Sequence, residues 1–123
     1  MLTAQEIDNA KKSTVYSGDA HHEHDDCIRI AFEWLDAQTK IGSPTSKTRP
    51  LKHIIEKWGG RYVSQSDVEV AAHIHPEIFG RYPHYNIGAK LVQPLFSRLD
   101  GVSEVNTQSQ RERFDPDTYQ LKE

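Results

Sequence analysis

The stretch DAHHEHDDC, residues 19–27, concentrates side chains that can bind metal ions. On a helix, His21, His24 and Cys27 step by three residues and would share one face. Imidazole and thiolate groups suit zinc, which takes about four ligands in a tetrahedron. Further ligands would have to come from elsewhere, such as Asp25, His73 or His75. The spacing is not that of a standard zinc motif, so His21, His24 and Cys27 are weak candidates and no metal is predicted.

A plainer interpretation of the same stretch is an acidic helix start. Glu23, Asp25 and Asp26 would complement the positive end of the helix dipole, and Cys27 would be a small buried residue. The chain has no G-x-S-x-G, P-loop or G-x-G-x-x-G motif. We therefore predict no catalytic activity and no cofactor, and a metal-dependent enzyme is the remote alternative.

The loop FGRYPHYN, residues 79–86, combines aromatic rings with Arg81 and His84. Aromatic and arginine side chains are favoured anchors in protein interfaces, and aromatic rings also stack on bases. Phe79 is expected to close the core over the turn. The sequence leaves open whether Tyr82 and Tyr85 pack inside or make contacts outside.

Composition limits the class of protein. The 123 residues are 36% hydrophobic and 27% charged, enough for one modest core. The single cysteine excludes an internal disulfide, and neither a long apolar run nor the apolar segment of a signal peptide is present. These features predict a cytoplasmic protein.

Charge is unevenly spread along the chain, whose formal net charge is -3. Residues 43–63 form a basic segment with Lys47, Arg49, Lys52, Lys57 and Arg61 against Glu56. The segments on either side are acidic. Tight non-specific binding to phosphates needs several basic contacts at once, and a dedicated nucleic-acid domain is usually basic overall. The charge therefore counts against strong non-specific DNA binding.

Caps and periodicity predict four helices before residue 77. Thr3 and Glu6 form a capping box for a helix from Thr3 to Lys12. A core helix is predicted from about Ala20 to Lys40 with Asp19 as its N-cap, because apolar residues recur at three- and four-residue steps. After the loop 41–50, a third helix runs from Pro50 to Gly59–Gly60. A fourth starts at Ser64 or Ser66 and ends at Pro76.

A fifth helix is predicted from Asn86, as N-cap, to Leu99. Apolar residues recur at four-residue steps in this segment, at Ile87, Leu91, Leu95 and Leu99. Pro94 lies inside it and is expected to bend it near Lys90. The alternative is a helix that starts only near Pro94. Weak strands are predicted at GVSEV and QRERF, and the tail is predicted to be mobile, with Tyr119 or Leu121 the residues able to dock.

From Pro50 the predicted order is helix, short strand, helix, turn, helix, strand, loop, strand. This order resembles the winged helix-turn-helix domains of prokaryotic regulators over residues 50–114, and LVQPLFSRLDGVSEV resembles the end of their third helix. The predicted fold is thus mainly α, with a small β-wing. Residues 1–42 form an N-terminal helical extension in the same globule, residues 43–114 the winged helix-turn-helix-like domain, and residues 115–123 the mobile tail.

The resemblance implies which residues would contact DNA. The start of the second helix of the motif meets base edges, while flanking and wing residues meet phosphates. The candidates are Arg81, His84, Tyr85, Asn86, Lys90, Gln93, Ser97, Arg98, Arg111 and Arg113. The alternative gives them structural roles, with Asn86 a cap, Gln93 solvated and Arg98 paired with Asp100 or Glu104.

Two functions follow from this pattern. The first is a small DNA-binding regulatory protein of a bacterium, phage or plasmid, acting as a homodimer. The second is a non-catalytic protein-binding module, an accessory subunit or inhibitor on the same scaffold, using the acidic residues 1–40 and the aromatic loop. The surface around residues 81–98 distinguishes them. A positive ridge continuous with Lys52, Lys57 and Arg61 favours DNA, and a neutral or acidic surface favours protein.

Overall fold

The structure, a computed structural model, describes residues 1–102 and 113–123. This part of the chain is mainly helical, with two short two-stranded pairs. Its elements are α1 (Ala4–Ser13), α2 (Asp25–Ala37), α3 (Leu51–Gly59), α4 (Gln65–Ile74), β1 (Gly80–Arg81), β2 (His84–Tyr85), β3 (Val92–Gln93), a 3₁₀ turn (Phe96–Leu99) and β4 (Leu121–Lys122). No helix in these residues is both long and apolar enough to cross a lipid bilayer.

The capping box predicted for α1 is confirmed. The Thr3 hydroxyl accepts from the Glu6 amide at 3.1 Å, and the Glu6 carboxylate accepts from the Thr3 amide at 3.1 Å. These bonds satisfy two N–H groups that a helix start otherwise leaves free. The helix then buries Ile7 and Ala10 against the rest of the core.

Helix α2 begins at Asp25, five residues later than the sequence predicts, and its N-cap is His24 rather than Asp19. The His24 ring accepts from the Asp26 amide at 3.0 Å. The preceding residues cannot continue the helix because their backbone bonds elsewhere. The His21 amide donates to Ser66 Oγ at 3.0 Å, and the His21 carbonyl accepts from Ser64 Oγ at 2.6 Å.

The core is built around α2, which packs mainly on α4. Six of its apolar side chains are fully buried: Cys27, Ile28, Ile30, Ala31, Trp34 and Leu35. Helix α3 also approaches α2 closely. A Cβ at Gly59 would lie 2.5 Å from Ile30 Cγ2, so glycine is needed there for this packing.

Helices α3 and α4 form near the predicted positions, with the predicted glycine stop between them. Gly60 ends α3 in a left-handed conformation, with φ of 77°, which glycine adopts without steric cost. Ser64 caps α4, and its hydroxyl accepts from the Asp67 amide at 3.1 Å. The Asp67 carboxylate accepts in turn from the Ser64 amide at 3.2 Å.

The helix predicted from Asn86 to Leu99 is wrong for residues 86–95. Only the single 3₁₀ turn at its end is helical, which is close to the alternative of a helix starting near Pro94. The segment is extended because its backbone forms hydrogen bonds with residues just after α2 and with the C-terminal residues of the chain. The Val92 amide and carbonyl both bond to the Gln38 side chain at 2.9 Å, and Ile87 bridges Lys40. Pro94 could not supply an N–H to a helix here.

The aromatic loop forms a small hairpin. Strands β1 and β2 pair antiparallel, with Gly80 opposite Tyr85 and Arg81 opposite His84, around a cis peptide bond before Pro83. Gly80 has a φ of 114°, and a Cβ there would lie 2.3 Å from the His84 carbonyl oxygen. The hairpin therefore requires glycine at this position.

The tail differs from the mobile segment that the sequence predicts. Strand β4 pairs parallel with β3, with Val92 opposite Leu121. Tyr119 is 4% exposed, and its hydroxyl accepts from Trp34 Nε1 at 2.9 Å. The buried Tyr119 side chain and the pairing of β4 with β3 together hold the tail against the rest of the protein. The predicted wing strands fall mostly on residues 103–112, outside the described residues.

Candidate functional site

Asn86, predicted to face base edges, is 2% exposed and holds the loop together from inside. Its Oδ1 accepts from the Phe79 amide at 2.7 Å. Its Nδ2 donates to the carbonyls of Glu77 at 2.9 Å and Ile41 at 3.2 Å. Both polar atoms of the amide are thus engaged within the protein. The alternative role as a helix cap is also wrong, because no helix follows.

Gln93 is also buried, at 9% exposure, so neither a base contact nor a solvated side chain describes it. Its Nε2 donates to the Arg113 carbonyl at 2.9 Å, and its Oε1 accepts from the Asp115 amide at 2.7 Å. The Gln93 side chain thus supplies hydrogen-bond partners to two backbone groups of the segment after residue 112. Tyr85, another predicted DNA contact, is 3% exposed, and its ring meets Tyr82 edge-on with centroids 6.3 Å apart.

Arg98 is held by three carboxylates rather than facing phosphates. It donates to Glu33 at 2.9 Å, to Asp36 at 2.9 Å, and to Glu123 through Nε and Nη2. The hydrogen bonds with Glu123 raise the pKa of Arg98, against the effect of burial, and Asp36 and Glu33 raise it further. Among the described residues, the surface around Arg98 is therefore not positive. An acidic partner was predicted for Arg98, and its partners among the described residues are Glu33, Asp36 and Glu123.

The remaining predicted DNA contacts are scattered. Arg81, Lys90, Ser97 and Arg113 are exposed but lie on a hairpin, a loop, a 3₁₀ turn and the final segment. His84 is half-buried, and its Nδ1 lies 3.0 Å from the Thr45 carbonyl. No single helix in the described ranges presents them together. Arg111 lies outside those ranges.

The weak metal candidates do not converge. His21 lies 3.1 Å from Glu23, while His24 caps α2. Cys27 is buried and donates to the Tyr62 carbonyl at 3.3 Å. Burial raises the pKa of this thiol to about 11, so it stays protonated and is a poor ligand. Over residues 1–102 and 113–123, no group of three or more potential ligands is placed to hold a metal ion.

His22, which the sequence did not single out, joins a buried polar network instead. Its Nε2 lies 3.0 Å from the Tyr16 hydroxyl, and its Nδ1 lies 2.8 Å from the fully buried Asp67. Burial, and then the charges of Glu69 and Asp67, raise the pKa of Tyr16. These contacts tie the link of residues 14–24 to α4.

A cleft of about 580 Å³ lies between α3 and the segment after residue 112. We call it the aromatic cleft, and its apolar wall consists of Ile54, Trp58, Phe96, Phe114 and Tyr119. Trp58 and Phe96 stack with centroids 6.2 Å apart. The Trp58 indole N–H donates to the Pro94 carbonyl at 3.2 Å, which fixes the ring in the wall.

Cations outnumber carboxylates at the rim of the aromatic cleft. Lys57 and Arg113 line it, and Lys122 Nζ lies 4.9 Å from the ring centroid of Phe114. Asp115 pairs with Lys57 at 3.3 Å and offsets one of these charges. Counted over the described residues, the rim therefore carries net positive charge on a chain whose formal net charge is -3.

The chain matches no family model, and neither the curated proteins nor the solved structures contain a significant match to it. The function proposed below rests on the aromatic cleft and on the charges around it.

Proposed function

We propose that this protein is a non-catalytic protein-binding module. Its aromatic cleft takes an apolar anchor residue from an acidic segment of a partner protein. One observation carries the proposal: a cleft of about 580 Å³ walled by Trp58, Phe96 and Phe114 opens beneath a rim with excess positive charge.

The apolar wall suits an anchor side chain. Recessed pockets that bind ligands commonly measure about 300–1,000 Å³ and are lined mostly by apolar and aromatic groups. Energetically dominant contacts in interfaces also cluster where a large side chain enters such a pocket. Trp58 supplies a rigid surface there because its indole N–H is already satisfied by Pro94.

The charge of the rim indicates an acidic partner segment. Lys57, Arg113 and Lys122 surround the opening, and Asp115 is the carboxylate among its lining residues. Complementary charges at a rim raise association rates and disfavour partners of the wrong sign. A segment with aspartate or glutamate on both sides of one apolar residue matches the cleft in shape and in charge.

Selection from a displayed library of random peptides tests the proposal. The expected consensus is an apolar residue flanked by Asp or Glu, with binding that weakens as salt rises. Substitutions Lys57→Glu and Arg113→Glu should together weaken the selected peptides at least about tenfold, the loss of roughly 1.4 kcal/mol. Lys47→Glu, on the exposed loop before α3, is the matched control and should leave binding unchanged. A basic consensus, or equal binding by the rim variant, contradicts the proposal.

A second candidate is DNA binding, the regulatory function that the resemblance to winged helix-turn-helix domains implies. It is favoured by the basic segment 43–63, in which Lys47 and Lys57 are exposed and Lys52 half-exposed. Binding to duplex DNA should then fall steeply with salt, and Lys47→Glu should weaken it. Absence of duplex binding at about 50 mM salt removes this candidate.

A further inference from the structure

A second cavity, of about 340 Å³, lies between α4, the β1–β2 hairpin and the residues after α1. We call it the Glu69 cavity, because Glu69 lines it and is 6% exposed. The aromatic rings that line it belong to Phe79, Tyr82 and Tyr85. This opening is separate from the aromatic cleft and shares no lining residue with it.

Glu69 is a buried carboxyl group that accepts one hydrogen bond within the described residues. Its Oε2 accepts from the Ser17 amide at 2.8 Å. Among residues 1–102 and 113–123 it forms no ion pair. A buried carboxylate is costly unless it is paired with a cation or with several donors. A cation placed beside Glu69 would supply the ion pair that the described residues do not give it.

Two of the aromatic rings that line the Glu69 cavity, those of Tyr82 and Tyr85, are nearly perpendicular to each other. Tyr82 and Tyr85 meet at 78° with centroids 6.3 Å apart, and Phe79, 49% exposed, stands at the opening. Ring faces attract cations, most strongly organic ammonium groups that shed water easily. Burial, and after it the charge of Glu69, raises the pKa of Tyr85, which is consistent with a carboxylate close to the rings.

We propose that the Glu69 cavity binds an organic ammonium ion, with Glu69 as counter-ion and with Tyr82, Tyr85 and Phe79 against its alkyl groups. A hard metal cation fits less well, because Mg²⁺ and Ca²⁺ take several oxygen ligands and one carboxylate supplies too few. The proposal does not depend on the aromatic cleft or on a protein partner.

Arg81 also lines the cavity and is the internal competitor for Glu69. Its side chain is exposed, and no ion pair joins it to Glu69 in the described ranges. If an ammonium ion is the natural occupant, Arg81→Gln should leave its binding unchanged or strengthen it, because a neighbouring positive charge is removed. If choline binds only after Arg81→Gln, Arg81 is the occupant and the proposal is overturned.

Choline and its neutral carbon analogue, 3,3-dimethyl-1-butanol, form a matched pair of probes. They have the same shape and differ in the positive charge. Titrations of the full chain, followed by NMR at the Ser17 and Gly80 amides, should give choline a dissociation constant of about 1 mM or tighter. The neutral analogue should bind at least about tenfold more weakly. Equal binding of the two probes, or no shift with either, overturns the proposal.

Two variants separate binding from folding. Glu69→Gln keeps the size of the side chain and should weaken choline at least about tenfold, whereas the control Glu77→Gln removes an exposed carboxylate nearby and should not. Phe79→Ala changes an exposed ring and should weaken choline several-fold with an unchanged amide spectrum. Choline affinity that survives both Glu69→Gln and Phe79→Ala contradicts the assignment.

Discussion

Trp34 and Tyr119 are joined by a buried hydrogen bond of 2.9 Å although 85 residues separate them in sequence. Trp34 is fully buried in α2, and Tyr119 is 4% exposed in the segment before β4. Burial raises the pKa of Tyr119 to about 12, so the hydroxyl remains protonated at neutral pH. The pair connects the central helix to the C-terminal residues through one defined contact.

Removing that hydroxyl should destabilise the protein. Tyr119→Phe leaves the buried Trp34 N–H without its partner, which costs about 1–3 kcal/mol. Urea unfolding followed by tryptophan fluorescence measures the loss. Tyr62→Phe is the control, because Tyr62 is 48% exposed and should change the free energy of unfolding by less than about 0.5 kcal/mol. Equal stability of Tyr119→Phe and wild type would falsify the assigned contact.

Asn86→Ala should reduce stability rather than simply remove a binding contact. Three hydrogen bonds to Phe79, Glu77 and Ile41 are lost, at a combined cost of about 2–4 kcal/mol. Thermal unfolding gives the comparison with Lys90→Ala, an exposed position in the same segment that should be nearly neutral. A fully stable Asn86→Ala protein would contradict the three hydrogen bonds assigned to this side chain.

Acid should unfold the protein partly through the carboxylates around Arg98. Hydrogen bonding to Arg98 lowers the pKa of Glu123, and for Asp36 the bonds from His75 and Arg98 outweigh burial and lower its pKa too. Groups with lowered folded-state pKa values stabilise the protein above their ordinary values, 4.5 for Glu and 3.8 for Asp. That contribution disappears as the pH falls through the lowered values.

The test of this pH dependence is Arg98→Gln. Without Arg98, the ionised carboxylates of Glu33, Asp36 and Glu123 repel one another, so the variant should be most destabilised near neutral pH. The difference from wild type in free energy of unfolding should shrink as the pH falls below 4.5. Lys12→Gln, on the exposed face of α1, should show no such trend. A difference independent of pH would contradict the role given to Arg98.

The thiol of Cys27 should react slowly in the folded protein. Burial raises its pKa to about 11, and the side chain is fully buried in α2. Near pH 8 the thiolate fraction is then about a hundredfold lower than in the unfolded chain. Reaction with a thiol-specific chromogenic disulfide measures both states, with the chain in guanidinium chloride as the fast reference. Similar rates in the two states would show that the residue is accessible and ionised.

Local signals predicted the helices well because their causes are local. The capping box of α1 and the glycine stop of α3 depend on residues within four positions of each other. The start of α2 was missed because Ser64 and Ser66, more than forty residues away, bind the backbone of His21. The segment 86–95 was missed because Gln38 supplies both partners of Val92 from a distant turn.

The aromatic cleft was also beyond prediction from local patterns. Trp58 lies on α3, but Phe96 and Phe114 join it only after the extended segment and the tail have docked. The sequence did contain one usable signal. Phe96 and Phe114 flank residues 103–112, and Phe114 directly follows the basic residue Arg113. In the histidine stretch, the metal-ligand spacing drew attention to His21 and His24. The role of His22 was missed because its partners, Tyr16 and Asp67, do not lie at metal-ligand spacing from it.

The docked tail has a consequence for the time the chain needs to fold. Helical proteins whose contacts are local fold in microseconds to milliseconds, whereas proteins built on distant pairings take milliseconds to seconds. Here Gln38 meets Val92 across 54 residues, and Arg98 meets Glu33 across 65. The four helices can form early. The pairing of β3 with β4 comes later, because closing the long loops between distant residues costs conformational entropy. We therefore expect this mainly helical protein to fold at the slower rate of a β-sheet protein.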